Sequence, residues 1–143
     1  MPTPLVLDGR LYVLRDNGTL LSFDAATGEQ RYRTRLGRGG SGYTASAVAG
    51  GGKVYLTGEM CDTCVVEPGS EFRLLQTNSL DAICMATPAI ADGHLYFRTD
   101  GHLIAIATRG MHSLRCLPLS ISPPGRSLSI ASARDPILML QSS

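Results

Sequence analysis

One seven-residue pattern occurs three times in this chain, as Leu7-Asp8-Gly9-Arg10-Leu11-Tyr12-Val13, Gly50-Gly51-Gly52-Lys53-Val54-Tyr55-Leu56 and Ala91-Asp92-Gly93-His94-Leu95-Tyr96-Phe97. Its tyrosines are 43 and 41 residues apart. In each copy a glycine supplies the positive φ that a tight hairpin turn needs, and residues typical of a β-strand follow it. Apolar residues at the three- and four-residue spacing of a helix are missing from all three copies. The pattern therefore predicts an all-β chain built from three repeats.

Each repeat divides into short strands at its turns. In the first repeat we predict strands over residues 4–7, 10–14, 19–24 and 29–36. In the second repeat we predict strands over residues 44–49, 53–58, 63–67 and 71–77. In the third we predict strands over residues 87–91, 94–99 and 102–107, with no recognisable fourth strand. Four antiparallel strands in about 40 residues make one blade of a β-propeller. The expected fold is therefore all-β, a partial β-propeller of about three antiparallel four-stranded blades, the last incomplete, with a disordered tail.

A corner of the first repeat carries a more specific motif, Ser22-Phe23-Asp24-Ala25-Ala26-Thr27-Gly28-Glu29-Gln30-Arg31-Tyr32. It resembles the repeat of the PQQ-like (quinoprotein-type) β-propeller family, which runs apolar-x-Asp-x-x-Thr-Gly-(Lys/Glu)-x-x-Trp. Tyr32 stands where that family has a Trp at the blade-to-blade packing site. The second repeat keeps only Glu67-Pro68-Gly69 of this corner, and residues 86–97 resemble the start of a blade. The resemblance covers about residues 3–108 and implies the fold, whereas one fold hosts many functions.

The length of the chain fits only part of a propeller. Its 143 residues could hold one ordinary domain, whereas closed propellers have about four to eight blades. We therefore expect residues 1–109 to be blades of a larger ring, and specifically its C-terminal part, because the first strand begins close to Met1. Residues 110–143 are rich in Ser and Pro and include Ser122-Pro123-Pro124-Gly125-Arg126-Ser127. We expect this segment to be a tail of low order.

Charge and hydropathy exclude several classes of partner. The net charge of +1 favours no strongly charged partner. Arg31, Arg33 and Arg35 are interpreted as the solvated face of an outer edge strand, where charge prevents aggregation, rather than as a nucleic-acid patch. No signal peptide and no run of about 18 apolar residues is recognisable. We expect no nucleic-acid partner and no membrane span, and the resemblance implies a periplasmic or secreted protein.

The sharpest candidate for a chemical site is Cys61-Asp62-Thr63-Cys64. A structural zinc site pairs two such knuckles or adds two histidines, and a redox CxxC usually lies at a helix N-terminus. None of the three histidines has matching spacing: His94, His102 and His112. We favour a local hairpin disulfide or plain turn cysteines, with zinc and redox catalysis as alternatives, so Cys61 and Cys64 are weak metal candidates. Cys84 is expected to pack as a small hydrophobic residue, and Cys116 stands alone.

No catalytic set can be assembled from the remaining residues. The carboxylates at predicted turns are expected to bond the nearby backbone: Asp8, Asp16, Asp24 and Asp92. Ser41 and Ser46 lack a Gly-x-Ser-x-Gly elbow. The glycine-rich residues 37–42 lack the Gly-Lys-Ser/Thr ending of a phosphate loop and are expected to connect two blades. We expect no catalytic residue, no cofactor-binding residue and no cofactor.

Three functional hypotheses follow from the resemblance. The quinone-dependent dehydrogenases of the family use a Trp platform, a vicinal disulfide, a catalytic Asp and a calcium ion, whereas this chain has no Trp and no adjacent cysteines. We favour a non-catalytic scaffold similar to the propeller lipoprotein of the outer-membrane β-barrel assembly machinery. We expect this scaffold to bind an extended peptide or another protein through its exposed blade edges. The alternatives are a fragment of a PQQ-dependent dehydrogenase and a truncated gene product without independent function.

Overall fold

The computed structural model describes residues 2–37, 42–109 and 113–119. Within these residues the regular structure consists of strands: β1 (Leu5–Leu7), β2 (Arg10–Leu14), β3 (Thr19–Asp24), β4 (Gln30–Arg35), β5 (Val48–Gly50), β6 (Lys53–Thr57), β7 (Asp62–Glu67), β8 (Arg73–Ser79), β9 (Ala89–Ala91), β10 (His94–Arg98), β11 (Leu103–Arg109) and β12 (Ser113–Leu119). The described part of the chain contains no helix that could span a bilayer.

The strands form three separate antiparallel sheets of four. Their orders are β1-β2-β3-β4, β5-β6-β7-β8 and β9-β10-β11-β12, so within each sheet the strands pair in the order of the sequence. This arrangement is that of three successive propeller blades, and it confirms the predicted all-β fold. We call the sheets blade 1, blade 2 and blade 3.

The repeat tyrosines occupy equivalent places. Tyr12, Tyr55 and Tyr96 lie in the second strand of their blades, and they pair with Leu5, Val48 and Ala89 of the first strands. The prediction drawn from their spacing is therefore confirmed. The predicted start of β5, at residue 44, was wrong, and the strand begins at Val48. The residues before it form the connection between two blades, in which Tyr43, Ala45 and Ala47 are buried.

The fourth strand of blade 3, which the sequence analysis did not find, is β12. It pairs with β11 from Ser113 to Leu119, within the segment that was expected to be a low-order tail. β12 contains Pro118, and proline is tolerated there because β12 is an edge strand, in which one side of the backbone needs no partner. Residues 110–112 and 120–143 lie outside the described residues.

The core lies between the blades. Its main cluster joins Tyr12, Leu14 and Leu20 of blade 1 to Val54, Leu56 and Val66 of blade 2. A smaller cluster around Phe97 joins blade 2 to blade 3. The first strands β5 and β9 also lie in contact, which places these two strands on the inner side of blades 2 and 3. Blade-to-blade packing therefore supplies much of the buried apolar surface, as in other repeat proteins.

Two aromatic contacts connect blade 1 to the corner of blade 2. The Tyr12 hydroxyl accepts a hydrogen bond of 3.2 Å from the backbone N–H of Gly69. The rings of Tyr32 and Phe72 meet edge to face with their centroids 5.9 Å apart. Tyr32, which replaces the Trp of the motif, therefore lies at a blade-to-blade contact.

We expect Tyr12→Phe to lower the free energy of unfolding by about 1 kcal/mol, because it removes the acceptor of the half-buried Gly69 N–H and keeps the ring. Tyr96→Phe is the matched control, since no hydrogen bond of the Tyr96 hydroxyl occurs within the described residues; its effect should stay within about 0.5 kcal/mol. Urea unfolding measures both variants. Equal losses would show that the bond to Gly69 does not stabilise the blade contact.

Candidate functional site

The connections between blades pack against the turns of the preceding and following blades at one end of the sheets. We call this end, formed by residues 15–18, 42–47, 58–61, 80–88 and 99–102, the linker end. Its backbone contacts repeat from blade to blade. The N–H of Tyr43 donates to the carbonyl of Asp16, and the N–H of Cys84 donates to that of Glu59, each over 2.9 Å. The two inter-blade joints are therefore built on the same backbone plan.

Different side chains close these two joints. In the first joint the ring of Tyr43 covers Gly18, where an added Cβ would lie 2.8 Å from Tyr43 Cε2. In the second joint Cys84 forms a disulfide with Cys61. Gly18 and Cys61 each lie six residues after a repeat tyrosine and both have positive φ, 79° and 58°. An aromatic contact and a covalent bond thus occupy equivalent positions.

The disulfide corrects two predictions about the cysteines. Cys61 pairs with Cys84 and not with Cys64, and Cys84 is a disulfide partner rather than only a small apolar residue. The Cα atoms of Cys61 and Cys84 are 4.9 Å apart, within the usual reach of a disulfide. The physical reason is the backbone of the second joint, which brings together a turn and a connection 23 residues apart in sequence.

Cys64 is a buried free thiol. Its Sγ lies 3.8 Å from Thr77 Oγ1, and burial raises the pKa of the thiol. A buried, protonated thiol is a poor nucleophile and a poor metal ligand. Since Cys61 is oxidised, the CxxC sequence does not present two free thiols. Among the described residues no group of three or more His, Cys, Asp or Glu side chains could hold a metal ion.

Asp24 has the turn role that was predicted for it. Its Oδ1 accepts hydrogen bonds from the N–H groups of Ala26 and Thr27 at 3.0 and 3.1 Å. Its Oδ2 accepts one from Arg31 Nη2 at 3.0 Å. These contacts, with Arg31 the largest, lower the pKa of Asp24 to about 2. The carboxylate fixes the corner of the motif and is fully engaged there.

The stability of blade 1 is therefore expected to depend on pH in acid. The folded pKa of Asp24, about 2, lies below the ordinary value of 3.8, so the charged carboxylate stabilises the fold above about pH 4, and this contribution is lost as the pH falls towards 2. We expect Asp24→Asn to be less stable than the parent chain at pH 7, with a difference that shrinks between pH 4 and 2. Urea midpoints across this range measure it. A difference independent of pH would contradict the role of the charge.

The outer strands of blades 1 and 2 differ in charge. In β4 the exposed side chains include Arg31, Arg33 and Arg35. In β8 the exposed side chains include Leu74 and Leu75, with 46% and 42% of their surfaces accessible, and no charged residue occurs from Leu74 to Ser79. β8 pairs only with β7, so its outer edge has no strand partner within the described residues. We call residues 74–79 the β8 edge.

A cavity of about 750 Å³ lies at the linker end between blades 2 and 3. Its polar lining includes Asp62, Asp81, Asp100 and His102. These residues come from two blades and the connection between them, so the sequence pattern gave no signal that they are neighbours. They do not form a metal-type cluster.

Comparison with solved structures supports the fold. The chain is similar to BamB from Moraxella catarrhalis, with a TM-score of 0.63 and 18% sequence identity. The similarity covers 82% of this chain and 36% of that BamB chain, so this chain spans about a third of its length. No protein-family model and no curated protein matches this chain. At this identity the likeness shows the fold alone, and the chain is a set of blades with a β-propeller-like fold.

Proposed function

We propose that this chain is a non-catalytic, PQQ-like β-propeller segment that serves as a protein-binding scaffold and binds an extended peptide along the β8 edge. The observation that carries the proposal is the outer edge of β8, which has no charged residue from Leu74 to Ser79 and no strand partner among the described residues. Exposed strand edges bind other chains unless charge, proline or a covering element prevents it. β4 has such protection from its arginines, and the β8 edge does not.

The β8 edge offers both components of strand addition. Its free backbone groups can form hydrogen bonds with an added strand, and apolar side chains beside them can select alternate residues of the peptide. The register of β7 and β8 shifts at Val65 and Val66, and Leu75 is left without a partner there. This bulge leaves Leu74 and Leu75 exposed next to the regular residues Gln76–Ser79. A peptide paired with these four residues would place an apolar side chain against the two leucines.

The disulfide supports a periplasmic or extracellular location for the proposed scaffold. Disulfides persist in oxidising environments such as the periplasm and the extracellular space. The Cys61–Cys84 bond is thus consistent with a periplasmic or secreted scaffold, which is the compartment that the resemblance implied.

The proposal assigns no reaction and no cofactor to these blades. We expect the purified chain not to bind PQQ or calcium measurably, because it has no Trp and no adjacent cysteines. Titration calorimetry with each ligand measures this. Tight, saturable binding of the quinone would favour the dehydrogenase-fragment hypothesis instead.

The scaffold proposal is tested with a fluorescein-labelled peptide of eight alternating valines and threonines. We expect saturable binding by fluorescence anisotropy, and slower hydrogen exchange of residues 74–79 when the peptide is bound. Leu75→Lys with Thr77→Lys gives β8 two charges at the spacing of Arg33 and Arg35, and should weaken binding at least about tenfold. The matched control, Met60→Lys with Met85→Lys, adds the same charge at two exposed methionines and should bind like the parent chain.

Two results would overturn the scaffold proposal. One is the absence of saturable peptide binding by the folded parent chain. The other is equal affinity of the parent chain and of the β8 variant when circular dichroism shows both to be folded.

A further inference from the structure

A line of hydrogen bonds crosses the three blades just before their first strands. The N–H of Thr3 donates to Ser46 Oγ over 2.9 Å. The N–H of Ser46 donates to Thr87 Oγ1 over 2.9 Å. These three residues are 43 and 41 positions apart, the spacing of the repeat tyrosines. The residues before blades 1 and 2 therefore each donate one backbone hydrogen bond to a hydroxyl before the next blade, and we call this the hydroxyl line.

The hydroxyl line has a free donor and a free acceptor at its ends. Within the described residues the N–H of Thr87 has no acceptor, and the hydroxyl of Thr3 accepts no hydrogen bond. A blade packed against blade 3 in the same way would have to present a hydroxyl at the position of Thr3, Ser46 and Thr87. Blade 1 of a second copy has that hydroxyl, on Thr3.

Residues of complementary size lie at the contact between the first strands β5 and β9. Ile90, in the middle of β9, packs against Gly50, the last residue of β5, so closely that a Cβ on Gly50 would lie 2.9 Å from Ile90 Cδ1. The equivalent positions between blades 1 and 2 hold Leu7 and Ala49. A large residue at one position thus accompanies a small one at the other.

Among the described residues, the same two positions are uncovered on blade 1 and on blade 3. Blade 3 presents Ala91 at the position of Gly50, and blade 1 presents Val6 at the position of Ile90. Val6 is 63% exposed. All residues of β9 are exposed, whereas those of β5, which β9 contacts, are half-buried. Valine is shorter than isoleucine by the Cδ1 atom that approaches Gly50, so Val6 leaves room for the Cβ of Ala91.

We propose that a second copy of this chain covers blade 3 with its blade 1, so that the Thr87 N–H of one copy donates to Thr3 Oγ1 of the other and Val6 packs against Ala91. The interface continues the blade-to-blade contact that already joins blades 2 and 3. The two copies each contribute three blades. Two such head-to-tail contacts, related by a twofold axis, close a ring of six blades, within the range of about four to eight blades found in closed propellers.

The test is the mass of the purified 143-residue chain in solution. Sedimentation equilibrium over a range of concentrations should show a reversible dimer, twice the chain mass of 15.2 kDa. A chain that stays monomeric at all concentrations overturns the proposal and leaves blades of another chain as the cover. Assemblies that grow beyond the dimer overturn the closed ring.

Substitutions separate the proposed interface from nonspecific association. Val6→Asp should raise the dimer dissociation constant at least about tenfold, because it buries an unpaired charge. Thr3→Val should raise it roughly 2- to 12-fold through loss of one hydrogen-bond acceptor, and Thr3→Ser, which keeps the hydroxyl, should restore it. Met60→Asp, at an exposed apolar residue outside the proposed contact and outside the β8 edge, is the matched control and should leave the dimer unchanged. A dimer insensitive to Val6→Asp, or equally sensitive to Met60→Asp, contradicts the proposed contact.

Discussion

Reduction of the Cys61–Cys84 disulfide is expected to lower the free energy of unfolding by about 3 kcal/mol. The bond closes a loop over a sequence separation of 23 residues, and a cross-link over a loop of this size restricts the unfolded chain by about that free energy. The loss is large for a chain whose blades are stabilised mainly by their neighbours, and it should weaken the second joint most.

Urea unfolding with and without a reductant measures this effect. The variant with Cys61→Ala and Cys84→Ala should unfold identically in both conditions, at the midpoint of the reduced parent chain. Cys64→Ala is the control for the free thiol, and it should keep the full dependence on reductant. An oxidised and a reduced parent chain of equal stability would show that the bond does not restrict the unfolded state.

The equivalence of the two joints provides a second test of the same bond. Cys61→Gly with Cys84→Tyr copies the pair Gly18 and Tyr43 into the second joint. We expect this double variant to be more stable than the double alanine variant, because glycine accepts the positive φ of position 61 and the ring restores a contact. Equal stability would show that the joints share only their backbone.

Gly18→Ala is expected to cost roughly 2–5 kcal/mol of unfolding free energy, from about 1–2 kcal/mol for a side chain at positive φ and about 1–3 kcal/mol for overpacking. Gly18 has φ of 79°. An added Cβ would lie 2.8 Å from Tyr43 Cε2 and 3.2 Å from the carbonyl oxygen of Leu36. The backbone oxygen belongs to the connection between two blades, so neither neighbour can move without opening the first joint.

Gly9→Ala is the matched control for this prediction. Gly9 has a similar φ of 71°, but an added Cβ there meets no atom within 4 Å. It should cost only the conformational part, about 1–2 kcal/mol. Thermal and urea unfolding of the two variants give the difference directly. If both substitutions cost the same, the contact between Gly18 and Tyr43 does not stabilise the joint.

The strands and their order could be predicted from the sequence because their determinants are local. A turn glycine such as Gly9 and the alternating residues after it specify a hairpin without reference to the rest of the chain. The spacing of Tyr12, Tyr55 and Tyr96 then orders the hairpins into blades. These features depend on neighbours in sequence, and the structure confirmed them.

The missed features depend on residues far apart in sequence or on position in a sheet. The pairing of Cys61 with Cys84 follows from the joint between two blades, and no spacing rule within the CxxC sequence shows it. β12 was missed because residues 110–143 are rich in Ser and Pro, which is typical of a tail of low order, whereas its pairing with β11 depends on the rest of the sheet. The β8 edge could be recognised only by comparing two outer strands, because a sequence of uncharged residues does not show which strand side is unpaired.

The two joints should respond differently to mechanical tension applied at the ends of the chain. The first joint is held by a noncovalent contact between Tyr43 and Gly18, so the connection can separate from blade 1 when that contact opens. The disulfide of the second joint instead withholds the 23-residue separation between its cysteines, roughly 80 Å of contour length at full extension. Under tension the connection after blade 1 should therefore extend once that contact opens, whereas the length between Cys61 and Cys84 should be released only in a reducing environment.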